Sequence, residues 1–291
     1  MAMIKSITPK DISIAELHGL LLGAVSPRPI AFASTVDTEG NVNLSPFSFF
    51  NVFSANPPIM IFSPARRVRG NTTKHTLDNA MATKEVVINI VNYDMVQQMS
   101  LASAEYGQGV NEFTKAGFTE VPSETISPPR VGESPVSFEC KVNDIIYLGT
   151  EGGAGNLIIC EVTKIHLDTD ILDGNGKIDP NKIDTVARMG GNWYSRASGD
   201  SIFEIPKPIS SIGIGFDNIP ASIKSSKVLT GNELGQLGTI EEIPLPVKDN
   251  LNVNEIIASS NNVEERLHQL AKGLLAKNKI SEAWEVLMAN K

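Results

Sequence analysis

SPRPIAFASTVDTEGNVNLSPFSFFN, residues 26–51, is the stretch around which the chain is organised. Pro27 and Pro29 fix their own φ and push the residue before each into extended conformation, so a strand begins at about Pro29 and runs through Ile30, Phe32 and Thr35. Residues 37–41, DTEGN, are turn formers, and the chain returns through Val42, Leu44 and Phe47 as an antiparallel partner. Ser34, Thr35, Ser45, Ser48 and Asn51 set small hydrogen-bonding groups among Phe47, Phe49 and Phe50. That mixture suits a flat ring with polar edges and an anionic tail.

Upstream, Ser13 followed by Glu16 makes a capping box for a short helix carrying Ile14, Leu17 and Leu21 on one face, with Gly23 as a stop. Downstream, Pro57-Pro58 interrupts the pattern and Ile59 to Phe62 reads as a buried strand. A basic loop with Arg66, Arg67 and Arg69 leads into TTKHTLDNAMATK, residues 72–84. This is a helix whose hydroxyl-rich, cationic start suits either a simple cap or a phosphate. A strand from Val86 to Val91 and a second helix, from Asp94 to Ala104, follow; Met95 and Met99 read as core. Residues 105–135, rich in glycine and proline, read as a surface cover or lid. Val136 to Leu148 and Leu157 to Leu167 are two long strands joined by a glycine-rich turn, which with the earlier strands points to a barrel or sandwich.

After Pro206 the character changes. Pro206, Pro208, Pro220, Pro244 and Pro246 punctuate a weakly patterned region in which Ile212 to Ile214 reads as a short strand. Val263, Leu267, Leu270 and Leu274, and then Ile280, Trp284 and Leu287, form the stripes of a helical hairpin that packs on the barrel or on a second subunit.

The 291 residues, 41% hydrophobic and 20% charged, are those of a soluble globular protein with material for one large domain, or for one domain plus an appendage. A formal net charge of -8 offers no broad attraction to nucleic acid or an anionic membrane. The N-terminus lacks the apolar core of a signal peptide and no later run is long enough to span a bilayer, so the expected location is cytoplasmic. Cys140 and Cys160 lie in apolar strand-like runs and read as buried free thiols. Walker A, complete G-x-G-x-x-G and G-x-S-x-G sequences are absent, and His18, His75, His166 and His268 lack metal-ligand spacing. The acidic DGNGKID run departs from a calcium loop, because Lys177 and Ile178 fall where a ligand and a glycine are required.

Taken in order, SPRPIAFAST, the hairpin, NLSPFSFFN, SANPP, Lys74-x-Thr76-x-x-Asn79 and the strand ending in Asn89 resemble the flavin reductase-like family of FMN-binding split barrels, which includes the flavoredoxins. The likeness covers residues 13–205. It implies a mainly β (α+β) fold, a six-stranded antiparallel Greek-key split β-barrel with flanking helices, dimeric and with FMN near the subunit interface. On this basis residues 1–205 form the FMN-binding domain and 206–291 a C-terminal extension. Carried over by position, Pro29, Ile30, Ser34, Thr35, Ser48, Phe49 and Asn51 would edge the ring and ribityl chain. Lys74, Thr76 and Asn79 would hold the phosphate, with His75 replacing the family's usual acidic residue, and Arg188 and Tyr194 would close over the site. The implied activity is that of an NAD(P)H-dependent flavin reductase, with NADH or NADPH as transient donor and no protein acid or base, because the flavin accepts hydride itself. Two alternatives stay open at this stage: a flavoredoxin-like electron carrier serving a redox partner protein, and a non-catalytic protein that binds a planar cofactor.

Overall fold

The computed structural model describes residues 3–207, 211–244, 251–259 and 262–289. Two compact units divide the chain, residues 1–203 and 204–291.

The first unit is built on one antiparallel sheet. Its strands are β1 (Ala31–Val36), β2 (Val42–Phe47), β3 (Phe50–Ala55), β4 (Pro58–Phe62), β5 (Glu85–Ile90), β6 (Val136–Tyr147) and β7 (Asn156–Leu167). They lie in the order β2-β1-β5-β6-β7-β4-β3. The opening hairpin forms as its turn chemistry requires. Asp37 Oδ1 accepts from the Glu39 and Asn41 N–H groups, each at 2.9 Å, and Gly40 takes φ +87°.

Seven strands stand where six were expected, because the polar and aromatic run after the turn is two strands. β2 leaves β1 after the pair Ala31↔Phe47. The next positions on the β1 side lead back to Pro29, which has no N–H to extend the ladder. The chain bends at Ser48 and Phe49 and continues as β3, paired with β4. β2 and β3 therefore occupy opposite edges of the sheet, yet two residues connect them. Six inter-strand gaps of about 4.8 Å would put the edges of a flat sheet about 29 Å apart. Three peptide links of about 3.8 Å span at most about 11 Å, so the sheet curls until its edges approach. The barrel interior is filled by alternate residues of six strands, among them Ala31, Ala33, Phe47, Met60, Phe62, Val86, Ile88, Cys140, Val142, Ile158 and Cys160. Leu77 and Ala80 of α2 (His75–Thr83) plug one opening.

β1 is buried along its whole length. Its outer face, with Phe32 and Ile30, packs under Met95, Met99, Phe113, Ala116, Phe118 and Val131. These come from α3 (Val96–Leu101), α4 (Glu112–Ala116) and the residues around them. The glycine-rich segment 105–135 thus covers this face, and side chains of the sheet tie down its later part. Val131 N–H donates to Asn89 Oδ1 at 3.0 Å, and Ser127 N–H to Glu85 at 2.9 Å. Glu139, with a fully buried carboxylate, accepts from the Glu124 N–H at 2.7 Å and the Thr125 N–H at 2.8 Å. α1 (Ile14–Ala24) carries the Ser13/Glu16 capping box and buries none of its residues fully. A small hairpin, β8 (Val186–Gly190) with β9 (Trp193–Arg196), completes the unit through the bridge Arg28↔Arg188.

In the second unit, α5 (Gly231–Leu237), α6 (Leu251–Ser259), α7 (Val263–Leu275) and α8 (Ile280–Met288) enclose a separate core. The stripes of the α7–α8 hairpin, Leu267, Ala271, Leu275, Trp284 and Leu287, are buried within this unit against Ile219, Ile223, Leu234 and Leu237. The preceding short helices supply apolar partners within the unit, and Val263, Leu270, Leu274 and Ile280 of the expected stripes are partly buried against the same core. Trp284 is fully buried and its Nε1–H donates to the Leu237 carbonyl at 2.9 Å. Ile212 to Ile214 is not a strand. Pro208 and Pro246 lie outside the described residues.

Candidate functional site

A cleft of about 420 Å³ opens where β2 bends into β3. Its lining comes from five places in the chain: His18 and Leu22 on α1; Ile30 and the bend Pro46 to Phe49; Ser63, Ala65 and Lys74 around the basic loop; Met99 and Ser103 after β5; and Arg188 with Tyr194 on the β8–β9 hairpin. The volume falls in the range of small-molecule and cofactor sites. The walls are apolar, three serine hydroxyls punctuate them, and no carboxylate lines the cleft among the described residues.

Its charge is positive. The Arg188 guanidinium stacks on the Tyr194 ring at 4.5 Å and donates from Nη2 to the Gly191 carbonyl at 2.7 Å. Lys74 is half-buried and its ammonium has no protein partner among the described residues. Burial and the neighbouring Arg67 hold its pKa below the usual lysine value, opposed by Glu105. Behind the wall lies Arg28, 6% exposed. Its Nη1 donates to the Leu22 carbonyl at 2.6 Å and to that of Val25, and its Nε to Ser48 Oγ at 3.4 Å. Its Nη2 is buried with no hydrogen-bond partner. Burial, and then the charge of Arg188, lower the Arg28 pKa. A buried guanidinium donor without a protein acceptor, beside a second guanidinium, favours an electron-rich or anionic partner. The residues present fit a flat apolar ring with polar edges and an anionic tail.

Of the residues singled out from the sequence, Ile30, Ser48, Phe49, Lys74, Arg188 and Tyr194 meet in this cleft. Pro29 and Asn51 are exposed and outside its lining. Ser34 and Thr35 are fully buried: the Ser34 hydroxyl donates to the Pro129 carbonyl, and Thr35 Oγ1 accepts from Asn79 Nδ2 at 3.1 Å. His75 and Thr76 line a small pocket next to the cleft, with Asn43, Arg67 and Lys74, and Asn79 lines an adjoining one with His75. Sequence reasoning missed Arg28, although a charged residue held between two prolines was a signal. It also left out His18, which is exposed as expected and yet lines the cleft, its ring edge-on to Phe49 at 6.5 Å. Nothing local marks Ser63 or Ser103.

Comparison with known proteins identifies the family. The model of the flavin reductase-like domain matches residues 23–181. The chain belongs to the flavin reductase-like family. An uncharacterized protein of Aquifex aeolicus is 38% identical over 191 residues, 66% of this chain and 95% of that protein. Among solved structures, nitrilotriacetate monooxygenase component B of Bacillus cereus superposes with a TM-score of 0.66 at 29% identity, covering 70% of this chain and all of that one. A split-barrel protein of Shewanella frigidimarina gives 0.58 at 27%, over 68% and 95% of the two chains. The family match ends before the helical unit begins. No described helix is long and apolar enough to cross a membrane.

Proposed function

We propose that this protein is an FMN-binding oxidoreductase, an NAD(P)H:flavin reductase in which the cleft at the β2–β3 bend holds the flavin. The observation that carries the reading is the cleft itself, with apolar walls, no lining carboxylate among the described residues, the Arg188 guanidinium held against Tyr194, the Lys74 ammonium without a hydrogen-bond partner among those residues, and the orphaned Arg28 Nη2 behind it. FMN, when bound, supplies a ring that accepts and passes on hydride or electrons. The chain's own contribution is binding and orientation. Ile30, Leu22 and Met99 exclude water from one wall, and Phe49 and Tyr194 offer aromatic faces for stacking. Ser48, Ser63 and Ser103 supply polar edges, and the basic residues around Lys74 attract the phosphate. No protein acid or base is required, and a nicotinamide can dock transiently over an open ring without a nucleotide-binding domain of its own. The acceptor is free flavin or a redox partner protein.

The same reading includes a homodimer. α1 exposes Ile14, Leu20 and Leu21, its C-cap exposes Val25, and β3 exposes Val52 and Phe53, so apolar surface borders the cleft on two sides. A second copy would cover this surface and complete the cleft wall; sedimentation should then report a dimer that Leu21→Lys with Phe53→Lys disrupts.

The decisive experiment is an absorption spectrum of the purified protein, followed by anaerobic addition of NADH and then NADPH. A flavin spectrum bleached by either nucleotide is expected, and a colourless protein that takes up no FMN would refute the proposal. Nucleotide oxidation with and without added FMN then separates a reductase from a carrier that keeps its flavin.

A further inference from the structure

A buried hydrogen-bond chain runs from the cover to the first turn of α2. Glu112 on α4 is 4% exposed. Its Oε2 accepts from the Leu44 N–H and its Oε1 from Asn43 Nδ2, both at 2.9 Å. Asn43, itself buried, accepts at Oδ1 from the Thr76 hydroxyl at 2.7 Å. Chemistry at one end dictates the polarity. An ionised carboxylate only accepts, so Asn43 must turn its NH2 to Glu112 and its oxygen to Thr76. The Thr76 proton is then committed to Asn43. Thr76 presents only lone pairs to the pocket it shares with Lys74, His75 and Arg67. An anion drawn there by the basic side chains meets an acceptor.

Protonation of Glu112 reverses the chain. The new O–H donates to Asn43 Oδ1 once the amide has turned over, Asn43 Nδ2 donates to Thr76 Oγ1, and the Thr76 hydroxyl is released to donate into the pocket. Leu44 N–H keeps its acceptor throughout. The change needs one proton from solvent, one amide rotation and one hydroxyl rotation.

We propose that Glu112 is a positioning residue that sets, through Asn43, whether Thr76 accepts or donates in this pocket, so that protonating Glu112 tightens the hold on a phosphate monoester. The inference rests on the flavin reading for the identity of that phosphate. Burial pushes the Glu112 carboxyl above its ordinary range, against the hydrogen bonds from Leu44 and Asn43 and the nearby His75. Facing the same pocket are Lys74 and Arg67 from the basic loop, His75 from α2, and Glu105 and Tyr106 from the segment before α4. Asp37 and Asp78 lie in the adjoining pocket.

The test measures FMN and riboflavin affinities by quenching of flavin fluorescence from pH 5.5 to 8.5, in the wild type, Glu112→Gln and Thr76→Val. The two ligands differ only in the phosphate, so their ratio isolates this end of the site. In the wild type the preference for FMN should fall about tenfold as pH rises, the size of one hydrogen bond to a charged group. Ionisation of the phosphate alone, with a second pKa of about 6, would work in the opposite direction. Glu112→Gln, whose amide imitates the protonated acid, should hold the acid preference across the range, and Thr76→Val should hold the alkaline one. A Glu112→Gln protein that tracks the wild-type profile overturns the proposal. Should that variant not fold, a wild-type profile retained in Thr76→Val does the same. Equal binding of FMN and riboflavin at every pH removes the relay but leaves the flavin reading standing, whereas failure of the wild type to bind either flavin removes both.

Discussion

Replacing Glu139 by Gln should cost about 3 kcal/mol of stability at neutral pH, and most of that cost should vanish in acid. The carboxylate is fully buried at the junction of β6 and the cover. Burial alone would raise its pKa. The Thr125 hydroxyl, the Glu124 N–H, His166 and the Thr125 N–H, all donating to it, overcome that and hold it at about 2 against an ordinary 4.5. At about 1.4 kcal/mol per decade, this preference for the ionised form is worth about 3 kcal/mol. The bonding geometry gives a similar figure, since a glutamine must turn its NH2 toward at least one buried N–H, and an unsatisfied buried donor costs about 1–3 kcal/mol. The sign follows from linkage. A carboxyl depressed in the folded state stabilises it above the unfolded pKa and loses that contribution as pH falls through the folded one. Urea unfolding of wild type and Glu139→Gln, followed by circular dichroism between pH 7 and pH 2, should show a gap of about 3 kcal/mol that narrows below about pH 4.5. Other carboxylates titrate alike in both proteins and cancel. A gap under about 1 kcal/mol at pH 7, or one that does not narrow in acid, would refute the reasoning.

Lys74→Met should weaken FMN binding by roughly tenfold to a hundredfold, the range for a lost bond to a charged group, and leave riboflavin unchanged; equal losses for both ligands would show that Lys74 is not at the phosphate. Cys140 and Cys160 should resist a thiol reagent at pH 8 until the protein is unfolded, because burial raises both thiols, Cys160 to about 12. Prompt labelling of the native protein would contradict this. Trp284→Phe removes the bond to the Leu237 carbonyl and part of a filled core, so the helical unit should lose about 2 kcal/mol. The measurement is hydrogen exchange in α7 and α8, and unaltered protection there would count against the assigned core.

Much of the fold around the candidate site was legible because its signals are local. The Ser13/Glu16 box, the Asp37 turn, the paired long strands and the cationic start of α2 each depend on residues within a few positions, and the chain folds there as its own neighbours require. The order of motifs along the first 205 residues likewise sufficed for the family. The orientation of β1 was another matter. The resemblance set the Ser34 and Thr35 hydroxyls at the edge of the ring, but Ser34 meets a carbonyl 95 residues away and Thr35 an amide 44 residues away. A strand covered on both faces cannot offer its hydroxyls to an open cleft. Arg28 reaches the candidate site through its bridge to Arg188 and its bonds to Leu22 and Ser48, and the cleft exists only because β2 and β3, two residues apart in sequence, are opposite edges of a curled sheet. The sequence by itself determined which residues turn, extend or coil, and which family they compose. Tertiary structure alone decided which face of each strand meets solvent, because that depends on what packs against it from far along the chain.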